Sequence, residues 1–419
     1  MRVLMLSWEY PPVVVGGLGR HVHALARHLA TQGHDVVVLC RHEAGTDALT
    51  HPTVSQTSHG VRVIRVAEDP THLEFGTDLV AWTLAMGHSM IRAGLELLGR
   101  RGWRPDLVHA HDWLVTHPAI TLAEQAGVPL VATVHATEAG RHSGWLSHPL
   151  NQQVHSVEWW LANRADALIT CSRAMRREVA HLFDVDGDEI TVIHNGIEPR
   201  DWRVAPSLVD ETRRRHGADD APLLLFFGRL EYEKGVQDLI AALPRIRRSH
   251  PGTRLVVAGR GRHLVPLEEQ ARKLRVRRAI DFVGHLTDSG LSAAVSAADV
   301  VVLPSRYEPF GIVALETAAA GAPLVSSTAG GLGEVVIDGE TGLSFEPGDV
   351  DALAAAVRSV LADPAGARRR ARTAKTRLGL AFDWGRIAAE TAEVYAATRM
   401  REHQPLGRPK IASGNAFTT

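Results

Sequence analysis

The fold is decided by one stretch, SWEYPPVVVGGLGRHVHALARHL, which runs from Ser7 to Leu29. Just before and into it, RVLMLSW reads as a buried strand. Pro11 and Pro12 then end any ladder or helix. Gly16 and Gly17 follow, at a cost in backbone entropy that an ordinary connector would avoid. HVHALARHLATQG reads as an amphipathic helix that Gly33 stops. Strand, glycine loop and helix form the first step of an α/β unit. The glycines allow close approach to the backbone, and the helix start offers free N–H groups and a positive dipole end, which suit an anion such as a diphosphate. A plain tight turn is the alternative. The dinucleotide fingerprint G-x-G-x-x-G is not met, because Arg20-His21-Val22 follow Gly19.

Working outward, HDVVVLCRH, DLVHAHD, PLVATVHA, ALITCS and EITVIHN read as further short strands. Strands alternating with helices predict a parallel sheet covered on both faces. The pattern restarts at PLLLFFGRLEYEKG. TRLVVAGRGRH, AIDFVGHL, DVVVLPS, APLVSST and GLSFEPG continue it. The fold class is therefore α/β, with two doubly wound units in tandem that meet near Asn195 to Leu208. Such sheets bind ligands at the carboxyl ends of their strands, so two facing sheets leave a cleft between them.

The bulk numbers agree. A chain of 419 residues predicts two domains. With 46 basic and 47 acidic residues the net charge is -1, which argues against nucleic-acid binding. Two cysteines, Cys40 and Cys171, point to a reducing compartment rather than a disulfide framework. The start MRVLMLSWEY shows no secretory pattern, and no apolar window of membrane length is free of charge, so a cytoplasmic protein is expected. The run from Arg399 onward reads as a mobile tail. ARRRARTAKTRLG reads as a solvated helix face, with contact to an anionic surface as the alternative.

Further motifs carry chemistry. In FFGRLEYEKG, Arg229 and Lys234 follow a buried strand, and two cations there fit a diphosphate; a surface loop with a salt bridge to Glu231 or Glu233 is the bland alternative. In SRYEPFGIVALETAAAGAPLV, Pro309 suits the first helical position, and the amides of Gly311 to Val313 offer a second anion site. Glu308 and Glu316 on one helix would lie about 12 Å apart, too far for the roughly 5–9.5 Å of a glycosidase pair. They read better as acceptors for sugar hydroxyls, against a helix cap and a surface Glu. His109, His111, Asp112, His135, Glu138 and His142 gather at two strand ends. They lack zinc-type spacing, so polar recognition of a hydroxyl-rich ligand is expected and no metal. DVDGD, Asp184 to Asp188, lacks the calcium loop's Gly and Glu and reads as a turn.

Together, SWEYPP, HAHDW, GRLEYEKG and EPFGIVALE resemble the retaining glycosyltransferases of family 4, with the two-domain GT-B fold. The resemblance runs from SWEYPP to FDWGRIAAETAEVY. The wording of SWEYPPVVVGGLGRHVH, HATEAGRHSGW and GRLEYEKG is most similar to actinobacterial glycogen synthase-like α-glucosyltransferases, which are associated with glycogen and methylglucose polysaccharide. The resemblance implies two Rossmann-like domains. Residues 1–200 would form the acceptor-side domain and 201–382 the nucleotide-sugar domain. A helix over 383–398 would cross back to the first domain, and 399–419 would be the tail.

The same resemblance implies a nucleotide-sugar donor, UDP- or ADP-glucose, as substrate with no cofactor. An α-glucan or oligosaccharide would be the acceptor. Arg229 and Lys234 would hold the diphosphate as leaving group, with Gly16, Gly17, Gly311, Ile312 and Val313 approaching it. Glu308 would hold donor sugar hydroxyls and Glu316 the ribose, with Gly284, His285 and Leu286 by the base. His135 would sit under the donor sugar; Asp112, Glu138 and Arg141 would face the acceptor. Glycogen synthases carry a lysine two residues before the Gly-Gly pair, where this chain has Val14. The rival expectations are a family 4 transferase, for example mannosyl, acting on a small or lipid acceptor, and a non-catalytic sugar-nucleotide binder. Donor base, acceptor and oligomeric state stay open in the sequence.

Overall fold

The computed structural model describes residues 1–14, 16–42, 53–67, 72–99, 103–216 and 221–400. The first sheet is built from β1 (Arg2–Leu6), β2 (Asp35–Arg41), β3 (Val54–Ser58), β4 (Val61–Val66), β5 (Leu107–His111), β6 (Leu130–Val134), β7 (Ala167–Thr170) and β8 (Ile190–Val192). Its strand order is β3-β4-β2-β1-β5-β6-β7-β8, parallel except for the β3–β4 pair. Val3 to Leu6 are fully buried, as a parallel strand covered on both faces requires.

The second sheet holds β9 (Leu223–Phe227), β10 (Arg254–Ala258), β11 (Ile280–Gly284), β12 (Val300–Leu303), β13 (Leu324–Ser327) and β14 (Leu343–Phe345). Its order is β11-β10-β9-β12-β13-β14, the doubly wound dinucleotide order, with the reversal between β9 and β12. In the first sheet the reversal lies between β1 and β5. Each reversal leaves a crevice at the carboxyl ends of the strands.

The last helix, Trp384–Met400, packs on the first domain. Trp384, Ile387, Ala388 and Tyr395 share a core with Val3, Met5, Val22 and Leu25. Gly196 makes this possible, because a Cβ there would meet the Trp384 ring at 2.7 Å. Arg399 and Met400 finish this helix instead of opening a tail, and residues 401–419 lie outside the described residues.

Other details differ from the sequence reading. β1 ends at Leu6, before Ser7 and Trp8. The antiparallel β3–β4 hairpin and the long helix Leu79–Gly99 had no counterpart in it. The hairpin escapes because β3 is mostly exposed and polar, VSQTS. The basic run lies on the helix Pro364–Ala381, with Ala367, Ala371 and Leu378 buried and Arg368, Arg369 and Arg372 exposed. Asp184 to Asp188 form a turn in which the Asp186 carboxylate accepts from the Asp188 N–H at 2.9 Å.

Candidate active site

The loop after β1 leads into the helix Gly17–Thr31. Gly16 is its extended cap and Gly17 its first residue, so only one of the two glycines precedes the helix. The Glu9 carboxylate fixes the entry by accepting from the Gly16 N–H at 3.0 Å. A Cβ on Gly17 would lie 2.8 Å from the Ile312 Cδ1 of the second domain. The missing side chain lets two helix starts meet across the cleft, and their dipoles present positive ends to the same space.

On the second domain, Arg229 follows β9 through Gly228, and Lys234 ends the short turn Tyr232–Lys234. The Lys234 Nζ lies 2.9 Å from the Glu308 Oε2, with both side chains largely buried. Arg229 lies 3.2 Å from Glu233 and is half exposed. Both cations therefore stand at the β9/β12 reversal, one paired to Glu308 and one to a neighbouring glutamate.

Glu308 lies on the loop after β12, and the helix Ile312–Ala320 begins four residues later. Pro309 is thus outside the helix, contrary to its expected first helical position. Gly311 takes that boundary with φ 103°, a conformation β-carbon-bearing residues rarely adopt. Glu308 and Glu316 consequently do not share one helix, and the 12 Å rise argument does not apply to them. The loop is held from behind. Gly331 donates its N–H to the Glu308 carbonyl at 2.9 Å. A Cβ on Gly330 would lie 2.2 Å from that carbonyl oxygen, and one on Gly331 2.4 Å from the Phe310 Cα. The Gly-Gly pair serves the placement of the glutamate loop.

Glu316 is buried on the helix Ile312–Ala320, and burial pushes its carboxyl up to about 7 despite the Arg20 charge beside it. The Arg20 Nη1 reaches it from the first domain at 2.9 Å. Gly284 closes β11 with φ 69°, followed by exposed His285 and half-buried Leu286, two strands from β9 at the sheet edge.

At the base of the first domain, Asp112 follows β5 and His135 follows β6. The Asp112 carboxylate accepts from the His135 N–H at 2.7 Å, and burial raises its carboxyl to about 6. Burial also drives the His135 imidazole down to about 3, so it is neutral. Its Nε2 lies 3.0 Å from the His111 Nδ1. The short helix Glu138–Arg141 stands above. Glu138 Oε1 accepts from the Asn151 amide at 2.6 Å, and Arg141 sits 3.8 Å from Glu138 and faces Asp112 and Glu158.

The six residues considered for metal do not converge. His109 is engaged by the Tyr395 hydroxyl at 2.6 Å and by Thr133 at 2.8 Å, away from the cleft. Among the described residues, the one group of three possible ligands whose ligand atoms all lie within 4.8 Å of one another is His21, His111 and His135, which takes in two of those six. Burial keeps His21 and His111 neutral as well.

Several cleft residues were not singled out from the sequence. Arg20 and His21 stand in the quoted stretch, as the fourth and fifth residues of its helix, where an i, i+1 pair points in two directions. Tyr307 bridges the domains: its hydroxyl donates to Glu178 at 2.8 Å and accepts from the Thr137 N–H at 3.4 Å. Glu334 accepts the N–H groups of Arg173 and Ala174 at 3.0 and 2.8 Å, capping a first-domain helix from the second domain. Ser172 donates to the Pro309 carbonyl at 2.6 Å. These contacts hold the cleft shut.

The comparisons agree with this architecture. Residues 15–201 match the family model Glycosyltransferase Family 4, and 209–377 match Glycosyl transferases group 1. The chain is 60% identical to a glycogen synthase of Mycobacterium tuberculosis over 98% of each chain. It is 33% identical to an alpha-maltose-1-phosphate synthase of Mycolicibacterium smegmatis, over 94% of this chain and 99% of that one. A sucrose-phosphate synthase from Thermosynechococcus elongatus superposes with a TM-score of 0.79 at 25% identity, covering 94% of this chain and 98% of its own. Two Rossmann-like domains facing across a cleft make this a GT-B fold, and the chain belongs to the family 4 glycosyltransferases.

Proposed function

We propose that the protein transfers glucose, with retention, from UDP- or ADP-glucose to an α-1,4-glucan, in glycogen or methylglucose polysaccharide synthesis. The observation that carries this reading is the buried Lys234–Glu308 pair at the β9/β12 reversal, on a loop that Cys171 joins to the His135 loop of the first domain, its Sγ 3.7 Å from the Pro309 carbonyl and 3.9 Å from the His135 carbonyl. The similarity to a glycogen synthase over nearly the whole chain supports glucose and glucan as the substrates.

The diphosphate lies between the two helix starts, where the amides of Gly17, Ile312 and Val313 and the side chains of Arg229 and Lys234 take up the charge that develops as the glycosidic bond breaks. Glu308 accepts from donor sugar hydroxyls, and Glu316 from the ribose. Gly16 shapes the entry loop, and the Gly284–Leu286 segment borders the base. His135, uncharged, lies beneath the sugar. The Asp112 carboxyl holds the His135 backbone, which makes it a positioning group and not a nucleophile. The acceptor hydroxyl approaches the anomeric carbon from the face the diphosphate leaves, its oxygen bonding there as the bond to the diphosphate breaks, and a phosphate oxygen of the leaving group takes its proton. Glu138 and Arg141 line the acceptor approach. The two side-chain cations do the work a metal would otherwise do, so the reaction needs none. Cleft closure through Tyr307, Glu334 and Arg20 keeps water from the donor.

A second reading, transfer to a small phosphorylated acceptor, draws on the relative that makes alpha-maltose-1-phosphate. Release of nucleoside diphosphate separates the two. With UDP-glucose, ADP-glucose and GDP-mannose in turn, release that depends on glycogen or maltooligosaccharides supports the glucan reading. Release that depends only on a sugar phosphate or a lipid acceptor overturns it. No helix among the described residues is long and apolar enough to cross a membrane.

A further inference from the structure

The segment His142–His148, which leaves the Glu138–Arg141 helix, presents the most exposed aromatic side chain among the described residues: Trp145, 73% exposed. An indole left in water has lost the burial that would repay it. The loop does not merely let it hang there. The Trp145 N–H donates to the His142 carbonyl at 2.9 Å, and the Gly144 N–H to the Ala139 carbonyl at 2.7 Å. On the far side, the Gln152 amide donates to the Leu146 carbonyl at 3.0 Å. Ser143 and Gly144 both take positive φ, 54° and 83°, to turn the chain at this point. The ring is held outward by an ordered turn.

Its neighbourhood is polar in a particular way. The Asn151 amide bridges the Glu138 carboxylate at 2.6 Å and the His142 Nε2 at 3.2 Å, and His142 lies 3.2 Å from Glu138. The backbone bond from Trp145 to His142 ties the exposed ring to the loop that carries this cluster, and a flat ring together with a carboxylate, an amide and an imidazole is the chemistry that recognises a pyranose: its C–H face stacks on the ring while its edge hydroxyls reach polar groups. The cluster is continuous with the candidate acceptor residues Glu138 and Arg141, and through Tyr307 the short helix itself is packed against the second domain: a Cβ on Gly140 would lie 2.3 Å from the Tyr307 ring.

We infer that Trp145 is the platform of an outer acceptor subsite, stacking a glucose unit of a growing α-glucan away from its reacting end. This rests on the glucan reading above. Asp112 is buried and His135 half-buried at the cleft base, whereas Trp145 stands in an exposed loop. On this assignment a long chain occupies both places, and a disaccharide bound at the reacting end leaves the outer one empty.

The test is transfer from the nucleotide-glucose donor to maltose, maltoheptaose and glycogen by wild type, Trp145→Ala and Trp145→Phe. Loss of the ring should raise the half-saturating concentration of maltoheptaose and of glycogen about tenfold. The donor KM and the kinetics with maltose should stay within about twofold. Trp145→Phe, which keeps a flat ring, should recover most of the loss. Equal saturation of wild type and Trp145→Ala by maltoheptaose overturns the subsite while leaving the glucan reading intact. A wild type that extends no glucan at all overturns both. Unchanged thermal unfolding of Trp145→Ala confirms that the effect is on binding, as expected for a side chain left 73% exposed.

Discussion

The Arg20 guanidinium of the first domain lies 2.9 Å from the Glu316 carboxylate of the second, although 296 residues separate them. The Glu316 carboxylate is buried while the Arg20 side chain is 47% exposed, so the pair is partly screened by solvent and its removal would leave the buried carboxyl without its cationic partner. Together with the Gly17–Ile312 approach, it ties the two helix starts that flank the proposed diphosphate site. Arg20→Ala should loosen closure and admit water. The expected result is a higher ratio of donor hydrolysis to transfer, measured as free glucose against extended glucan. An unchanged ratio would contradict a closing role for this pair.

Lys234 is placed to stabilise the departing diphosphate. Lys234→Ala should lower kcat by roughly 10²–10³, the range for losing one oxyanion-type contact. Glu308→Gln keeps the size of the side chain but removes the partner charge, and should lower kcat as well. Near wild-type turnover in Lys234→Ala would remove Lys234 from the site.

Gly330 has φ 51° and no room for a Cβ behind the Glu308 carbonyl. Gly330→Ala should push the glutamate loop forward, lowering both the melting temperature and kcat. Gly339, with φ 75° but open space around it, is the control. Gly339→Ala should lower stability slightly, by strain alone, and leave turnover unchanged. Equal effects of the two substitutions on turnover would show that the loop does not depend on Gly330.

Glu158, beneath the Glu138–Arg141 helix, is buried, and burial pushes its carboxyl up to about 8. In the unfolded chain it ionises near 4.5. The folded state therefore holds the proton longer, and folding is penalised progressively as pH rises from about 4.5 to about 8. Glu158→Gln escapes that penalty while still accepting from the Glu138 N–H. The stability of the variant relative to wild type should rise across that window, as followed by urea unfolding at pH 5, 6.5 and 8. A difference independent of pH would mean that Glu158 ionises normally in the fold.

The apolar strands were legible because parallel strands buried on both faces are nearly continuous hydrophobic runs, as in RVLML and LLLFF. The cations after β9 and the carboxyl and imidazole groups after β5 and β6 were legible because a doubly wound sheet puts its chemistry at strand ends. The β3–β4 hairpin was not, since an exposed polar edge strand carries no such run. Arg20 was missed because its partner is fixed only by the closure of two domains. The contact of Gly330 and Gly331 with the Glu308 loop needs the tertiary structure to be seen. Pro309 misled because proline fits the first helical position and also fits the extended loop that precedes Gly311.

The most direct measurement is proton NMR of the glucan formed when the wild-type protein extends maltoheptaose from UDP- or ADP-glucose. The account predicts a new anomeric signal of an α-1,4 linkage, growing in step with nucleoside diphosphate release. A β-linked product, or diphosphate release with no new glucan linkage, would contradict it.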